Sequence, residues 1–215
     1  MKNIIEKNST ILFQGDSVTD CGRLESSNGL GFGYANMIAA WLTAQYPQKS
    51  FNFLNKGISG NRVIDLQNRW KEDCLDLNPS IVSILIGIND CWRKYDNNDA
   101  TAADKFEATY KQLLTEVKEK TNAKIIIMEP FLLPVIEERS DWSAGQSQWR
   151  EDLDPKIHVA RKLAREFEAT FIPLDGIFAK ASMALAMDKW AGDGVHPSQA
   201  GHALIAQEWI KAVTQ

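Results

Sequence analysis

The 215-residue chain has a formal net charge of -4 with its basic and acidic residues interspersed, which leaves no basic stripe for nucleic acid and no polybasic patch for a membrane surface. Its three cysteines, Cys21, Cys74 and Cys91, are irregularly spaced and form no C-x-x-C, so a disulfide framework or zinc knuckle is not indicated and a reducing compartment is expected. The N-terminal "MKNIIEKNSTILF" lacks an apolar signal core and nowhere do about 18 apolar residues run together, so the expectation is a cytoplasmic protein, one domain over 1–215.

Short apolar runs alternate with stretches of helical period. "TILFQ" (10–14) reads as a strand, followed by a helix over 31–46; "SFNFLN" (50–55) precedes a helix over 61–77, and "SIVSILIG" (80–87) precedes one over 102–120. "AKIIIME" (123–129) is followed by a helix over 147–168, and "TFIPLD" (170–175) by helices over 176–187 and 199–213. The nearly continuous apolar character of 80–87 and 123–129 predicts strands covered on both faces. In the helix over 102–120, Phe106, Tyr110, Leu113, Leu114 and Val117 form one apolar stripe. The alternation predicts a parallel sheet of about five strands between two helical layers. Irregular stretches over 88–100, 130–146 and 188–197 are the long loops, where function concentrates. Trp92, Trp142, Trp149 and Trp190 fall in or near them.

Ligands of an open parallel sheet bind outside the carboxyl ends of its strands. Ser17 follows the first strand, "NKGISGN" the second and "GIND" the third, while "GDGVHPS" precedes the last helix. A serine hydroxyl becomes a nucleophile only beside a base that a third group orients. Asp193-x-x-His196 offers both in one tight loop, with Asp193 accepting from imidazole Nδ1–H and Nε2 turned toward Ser17. Pro197 and Ser198 would open the last helix. His158 and His202 lie within helical stretches and suit structural roles. Acyl transfer also needs donors for the developing oxyanion. The N–H of Ser17, the N–H of Gly60, brought close by the lack of a Cβ, and the side-chain amide of Asn89 are the candidates.

The ordered set "GDSVTD", "GISGN", "GIND" and "DGVHPSQAGH" resembles the four blocks of the SGNH (GDSL-type) hydrolases, with Val18 in place of the nominal Leu. The resemblance implies a flavodoxin-like α/β/α sandwich, Ser17 as nucleophile, Gly60 and Asn89 as oxyanion donors, and Asp193 and His196 completing a triad. "GDSVTDCGR", "NKGISGNRV", "GINDCWRKYD" and "VHPSQAGH" look like the intracellular acetylesterases that deacetylate xylo-oligosaccharides, relatives that tend to be homo-oligomers. Trp190 lies three positions before Asp193, where the family often has an aromatic directly before the acid.

The expectation is therefore a serine esterase that needs neither metal nor cofactor and removes acetyl groups from a saccharide. Asp16, Trp92, Arg93, Tyr95 and Trp190 are its candidate substrate-binding residues, with Trp142 and Trp149 as further aromatic candidates. A lysophospholipase or thioesterase of the same fold is the alternative, and it would need an apolar acyl channel. A binding module of flavodoxin type explains the alternation but has no use for Asp193-x-x-His196. Neither G-x-G-x-x-G, a P-loop nor G-x-S-x-G is present in the context those motifs require.

Overall fold

The computed structural model describes residues 4–135 and 146–214. Five parallel strands, β1 (Thr10–Gly15), β2 (Asn52–Asn55), β3 (Ile81–Leu85), β4 (Lys124–Met128) and β5 (Thr170–Ile172), form one sheet in the order β2-β1-β3-β4-β5. The strand order reverses at β1, so the crevice between the ends of β1 and β3 is the place where such sheets hold ligands. Leu12 pairs with both Leu54 and Val82, and Ile127 pairs with both Ile84 and Phe171.

Alternation along each strand divides the core in two. Ile11 and Phe13 of β1, with Ile81 and Leu85 of β3, face α2 (Tyr34–Gln45) and α8 (Gln199–Thr214), where Ile38, Leu42, Ile205 and Trp209 meet them. Leu12, Val82 and Ile84 point the other way, toward Leu66 and Trp70 of α3 (Val63–Asp73), Leu113 of α5 (Ala103–Lys120) and Leu163 of α6 (Trp149–Glu166). All five residues of β3 are buried, as its unbroken apolar run predicts. The exception in type, Ser83, accepts a 2.9 Å hydrogen bond from the Trp209 indole, which satisfies two buried polar groups at once. The apolar stripe predicted for α5 is buried at every position.

The remaining helices are α1 (Ser17–Asp20), α4 (Ile88–Asp96) and α7 (Leu174–Ala181). Of these, α4 occupies a stretch whose sequence reads as irregular. Its buried residues Ile88 and Cys91 join a third small core with Leu132, Trp149, Leu153, Ile157 and Val195, so this short amphipathic helix is completed by packing against residues far along the chain. The helix predicted over 61–77 ends at Asp73 and closes with a 3₁₀ turn, Leu75–Leu77. Residues 173–175, read as the end of a strand, instead turn into α7.

Candidate active site

The sheet delivers its chemistry at the carboxyl edge. Where β1 stops, Asp16 caps the single turn of α1 by accepting the Val18 N–H at 3.0 Å, and Ser17 stands at the first helical position. The N–H groups of a first turn have no intrahelical acceptor, which leaves that of Ser17 suited to an oxyanion. Across the sheet, the loop before α8 carries Asp193 and His196. Ser198 fixes the start of that helix, its hydroxyl accepting the Gly201 N–H at 3.2 Å and donating to the Lys189 carbonyl at 2.6 Å.

Ser17, His196 and Asp193 form one hydrogen-bonded chain. Ser17 Oγ lies 2.8 Å from His196 Nε2, and His196 Nδ1 lies 2.6 Å from Asp193 Oδ2. The second carboxylate oxygen, Oδ1, accepts the N–H groups of Val195 (2.9 Å) and His196 (2.6 Å). Burial alone would raise the Asp193 carboxyl, but the hydrogen bonds from His196 and Val195 outweigh it and hold the group below the usual carboxylate range. An ionised Asp193 makes Nδ1 the protonated nitrogen and leaves Nε2 free to accept from Ser17 O–H. The Asp193 hydrogen bond raises the pKa of His196 above the ordinary value of 6.5 and partial burial opposes it; the charges of Asp193 and Asp16 add to the rise.

The oxyanion candidates sit on the opposite flank. Gly60 has φ +84°, and a Cβ built on it would meet nothing within 4 Å. The left-handed backbone at this position favours glycine, and among the described residues no atom fills the space beside its N–H. Its loop is tied from two sides. Asp20 Oδ2 accepts from the Ser59 N–H (3.1 Å) and hydroxyl (2.9 Å). From α4, the Asn89 side-chain amide donates to the Asn61 carbonyl at 3.1 Å, and Asp90 accepts the Val63 N–H at 3.0 Å. Asn89 thus spends one amide hydrogen on the loop that carries Gly60 and keeps the other for a ligand.

The proposed substrate contacts fare unequally. Asp16 is 1% exposed and occupied as a cap, so it cannot reach substrate; burial pushes its carboxyl up to about 7, against the pull of the Val18 N–H and of His196. The Trp92 ring stands beside the site, its centroid 6.1 Å from that of His196. Arg93 lies over Trp92 and pairs with Asp96 at 2.8 Å. Tyr95 stacks on Trp149 with centroids 5.5 Å apart, and its hydroxyl is held by Asp152 and the Gln148 carbonyl, so it braces α4 against α6. Trp149 itself is wholly buried, the first residue of the amphipathic α6, and belongs to the core instead of a pocket wall. Trp190 donates its indole N–H to the Leu185 carbonyl and lines a groove between α2 and α8 with Met37, Trp41 and Leu204, a groove that neither Ser17 nor His196 borders. Its chain position beside Asp193 therefore does not bring it to the nucleophile. Trp142 lies outside the described residues.

Other reactive groups are committed elsewhere. His202 accepts the Tyr34 N–H at 3.2 Å and meets Cys21 Sγ at 3.4 Å, and burial, with a smaller push from the charge of His196, drives its pKa down to about 4. The thiols of Cys74 and Cys91 are buried and pushed up to about 12, which disfavours a thiolate. Among the described residues no group of three His, Cys, Asp or Glu side chains is placed to hold a metal ion. Two participants escaped the sequence reading. Asp20 is a helix-end acid without distinctive spacing, and Gln146, whose amide donates to the Asp193 carbonyl at 2.8 Å, lies in a stretch with no pattern at all.

Residues 13–204 match the GDSL-like lipase/acylhydrolase family. The chain is 37% identical over 212 residues to an acetylxylan esterase of Geobacillus stearothermophilus, covering 94% of this chain and 93% of that one. Among solved structures it is similar to a mutant of Axe2, an acetyl-xylooligosaccharide esterase from Geobacillus, with a TM-score of 0.85, 37% identity and coverage of 97% of this chain and 95% of that one. It is also similar to LAE5, an α/β hydrolase enzyme from the metagenome of Lake Arreo, Spain, with a TM-score of 0.87, 27% identity and coverage of 99% and 98%. With the family matched over nearly the whole chain and its fold reproduced around a serine, a histidine and an aspartate in hydrogen-bond contact, the chain belongs to the GDSL-like lipase/acylhydrolase family.

Proposed function

We propose that the protein is a serine esterase that removes acetyl groups from acetylated xylo-oligosaccharides or related sugars through an acetyl-enzyme on Ser17. The observation that carries this reading is the continuous chain from Ser17 Oγ through His196 to Asp193, at 2.8 and 2.6 Å. His196 Nε2 takes the Ser17 proton as Oγ attacks the acetyl carbonyl carbon. The tetrahedral oxyanion is received by the N–H groups of Ser17 and Gly60 and by the Asn89 amide, donors worth about 2.7 to 4 kcal/mol each in such sites. Collapse expels the sugar oxygen, which takes the proton from His196. Water then repeats the sequence on the acetyl-serine, and acetate leaves.

The sugar is supported by the names of the relatives and by Trp92, an aromatic platform at the edge of His196 on which a pyranose ring can stack. Arg93, held over that ring, can add a hydrogen bond. A lipid reading would need an apolar channel at Ser17, and the apolar groove between α2 and α8 does not open there. That groove, lined by Trp41, Trp190 and Ile210 and flanked by the exposed Leu185, is better suited to a second copy of the chain. We read the chain as one hydrolase domain that acts as a homo-oligomer in the cytoplasm, in keeping with three unpaired cysteines. No helix among the described residues is long and apolar enough to cross a membrane.

The test follows acetate release by NMR from acetylated xylo-oligosaccharides, aryl acetates and octanoyl esters. Acetylated saccharides should show the highest kcat/KM and octanoyl esters the lowest; a preference for octanoyl esters would replace the carbohydrate reading with the lipid one. Sedimentation should show an oligomer that Trp41→Asp dissociates.

A further inference from the structure

Asp193 and His196 hold each other, but the loop that carries them is held from outside. Asp193 Oδ1 is saturated by two N–H groups of its own loop, so the carboxylate cannot turn within it. What remains free is movement of the loop as a unit. Beyond its local turns and the packing of Val195 into the small core with Ile88, Leu132 and Trp149, two hydrogen bonds among the described residues fasten that unit to the segment between β4 and α6. The Leu133 N–H donates to the Gly194 carbonyl at 2.9 Å, and the Gln146 amide donates to the Asp193 carbonyl at 2.8 Å.

The fit at this brace is close. Gly194 has φ +79°, and a Cβ on it would fall 2.3 Å from the Leu133 carbonyl oxygen and 3.2 Å from both terminal atoms of Gln146. Gln146 is 2% exposed, although it opens a 3₁₀ turn (Gln146–Gln148) whose other two residues are exposed. Burying an amide side chain is costly unless its polar atoms are used, and the partner it has found is the backbone carbonyl of Asp193 itself, not a distant structural group.

We propose that Gln146 is a positioning residue for ester hydrolysis, fixing the Asp193 peptide so that the Asp193–His196 pair meets Ser17 Oγ at hydrogen-bond distance. The inference rests on the assignment of Asp193 and His196 as acid and base made above. Gln146 touches neither Ser17 nor substrate in this role. Loss of its donor lets the loop tilt as a unit, which moves Nε2 off the nucleophile, while the Asp193–His196 contact inside the loop and substrate binding in the ground state are untouched.

Gln146→Met keeps the length of the side chain and removes the donor. Its kcat on an acetyl ester should fall roughly tenfold, since small misplacements of a reacting group are expensive, with KM changed by less than about twofold. The acid limb of kcat/KM should stay where it is in the wild type, because the Asp193 hydrogen bond that raises His196 lies within the loop and moves with it. In a His196→Ala background, Gln146→Met should cost nothing further, since the base it positions is gone. Wild-type kcat or a displaced acid limb in Gln146→Met, or an equal loss in both backgrounds, would overturn the proposal. If the methionine variant does not fold, Gln146→Glu, which keeps the shape and replaces the donor with an acceptor, enters the same cycle. His196→Ala separates the two readings. Activity surviving in it removes the triad, whereas an inactive His196→Ala beside an unaffected Gln146→Met removes the positioning role alone.

Discussion

The two flanks of Ser17 are built by opposite means. On one side the acid and the base come from a single loop, three residues apart, and are linked by side-chain and backbone hydrogen bonds of 2.6 to 2.9 Å. On the other, the proposed oxyanion donors come from the ends of three different strands, and contacts between residues far apart in sequence hold them in register: Asp20 to Ser59, Asn89 to Asn61 and Asp90 to Val63. The first flank is a local unit whose internal geometry survives small shifts of the sheet. The second depends on the relative placement of β1, β2 and β3, so its accuracy is a property of the whole fold. Damage to the first should therefore change chemistry with little effect on stability, while damage to the second should change both.

The sharpest separation starts from the residue the flanks share. Ser17→Ala should lower kcat by on the order of 10⁶ while leaving the unfolding midpoint near that of the wild type, and a serine-directed organophosphate should label Ser17 in the parent only. Labelling at another serine would dissolve the comparison altogether. Next in size, Asp193→Asn should cut kcat by up to roughly 10⁴ with substrate binding intact, as the imidazole loses its orienting acceptor. Near-wild-type turnover there would remove the acid from the local unit. Asn89→Ala should lower kcat by roughly 10² to 10³, and by releasing the Asn61 carbonyl it should also cost about 1 kcal/mol of stability by chemical denaturation. A loss of activity with no loss of stability would show that the oxyanion flank is as self-contained as the other.

The smallest effect concerns pH. His196 must be neutral to accept the Ser17 proton, so kcat/KM should rise through a midpoint above 6.5. Asp16 contributes to that rise through its charge, so Asp16→Asn, which retains an oxygen to cap α1, should shift the midpoint down by a fraction of a unit. An upward shift would mean that Asp16 acts on His196 by some route other than charge.

The same contrast explains what could be read before the fold was known. The five strands, the buried stripe of α5 and the pairing of Asp193 with His196 follow from periodicity and from spacing within a few residues. Asn89 and Gly60 were legible as residue types at strand ends, but the left-handed φ of +84° at Gly60 was not, because it is imposed by a loop tied to α1 and α4. The helix α4 was missed because its burial depends on Trp149 and Val195, far along the chain. Trp149 and Tyr95 misled for a related reason: aromatic residues in an apparently irregular stretch suggest a pocket wall, yet here they stack between two helices. Gln146 carried no pattern, since a hydrogen bond to a backbone carbonyl 47 residues away leaves no trace in the sequence around it.

The proximity of the Trp92 and His196 rings, 6.1 Å between centroids, sets a fluorophore beside the imidazole. A protonated imidazole quenches the emission of a neighbouring indole, whereas a neutral one does so weakly. The intrinsic fluorescence of the resting enzyme therefore carries a component that brightens as His196 loses its proton. A sugar ring stacked on Trp92 would alter the same signal, so light emitted by a single side chain reports on both the readiness of the base and the arrival of its substrate.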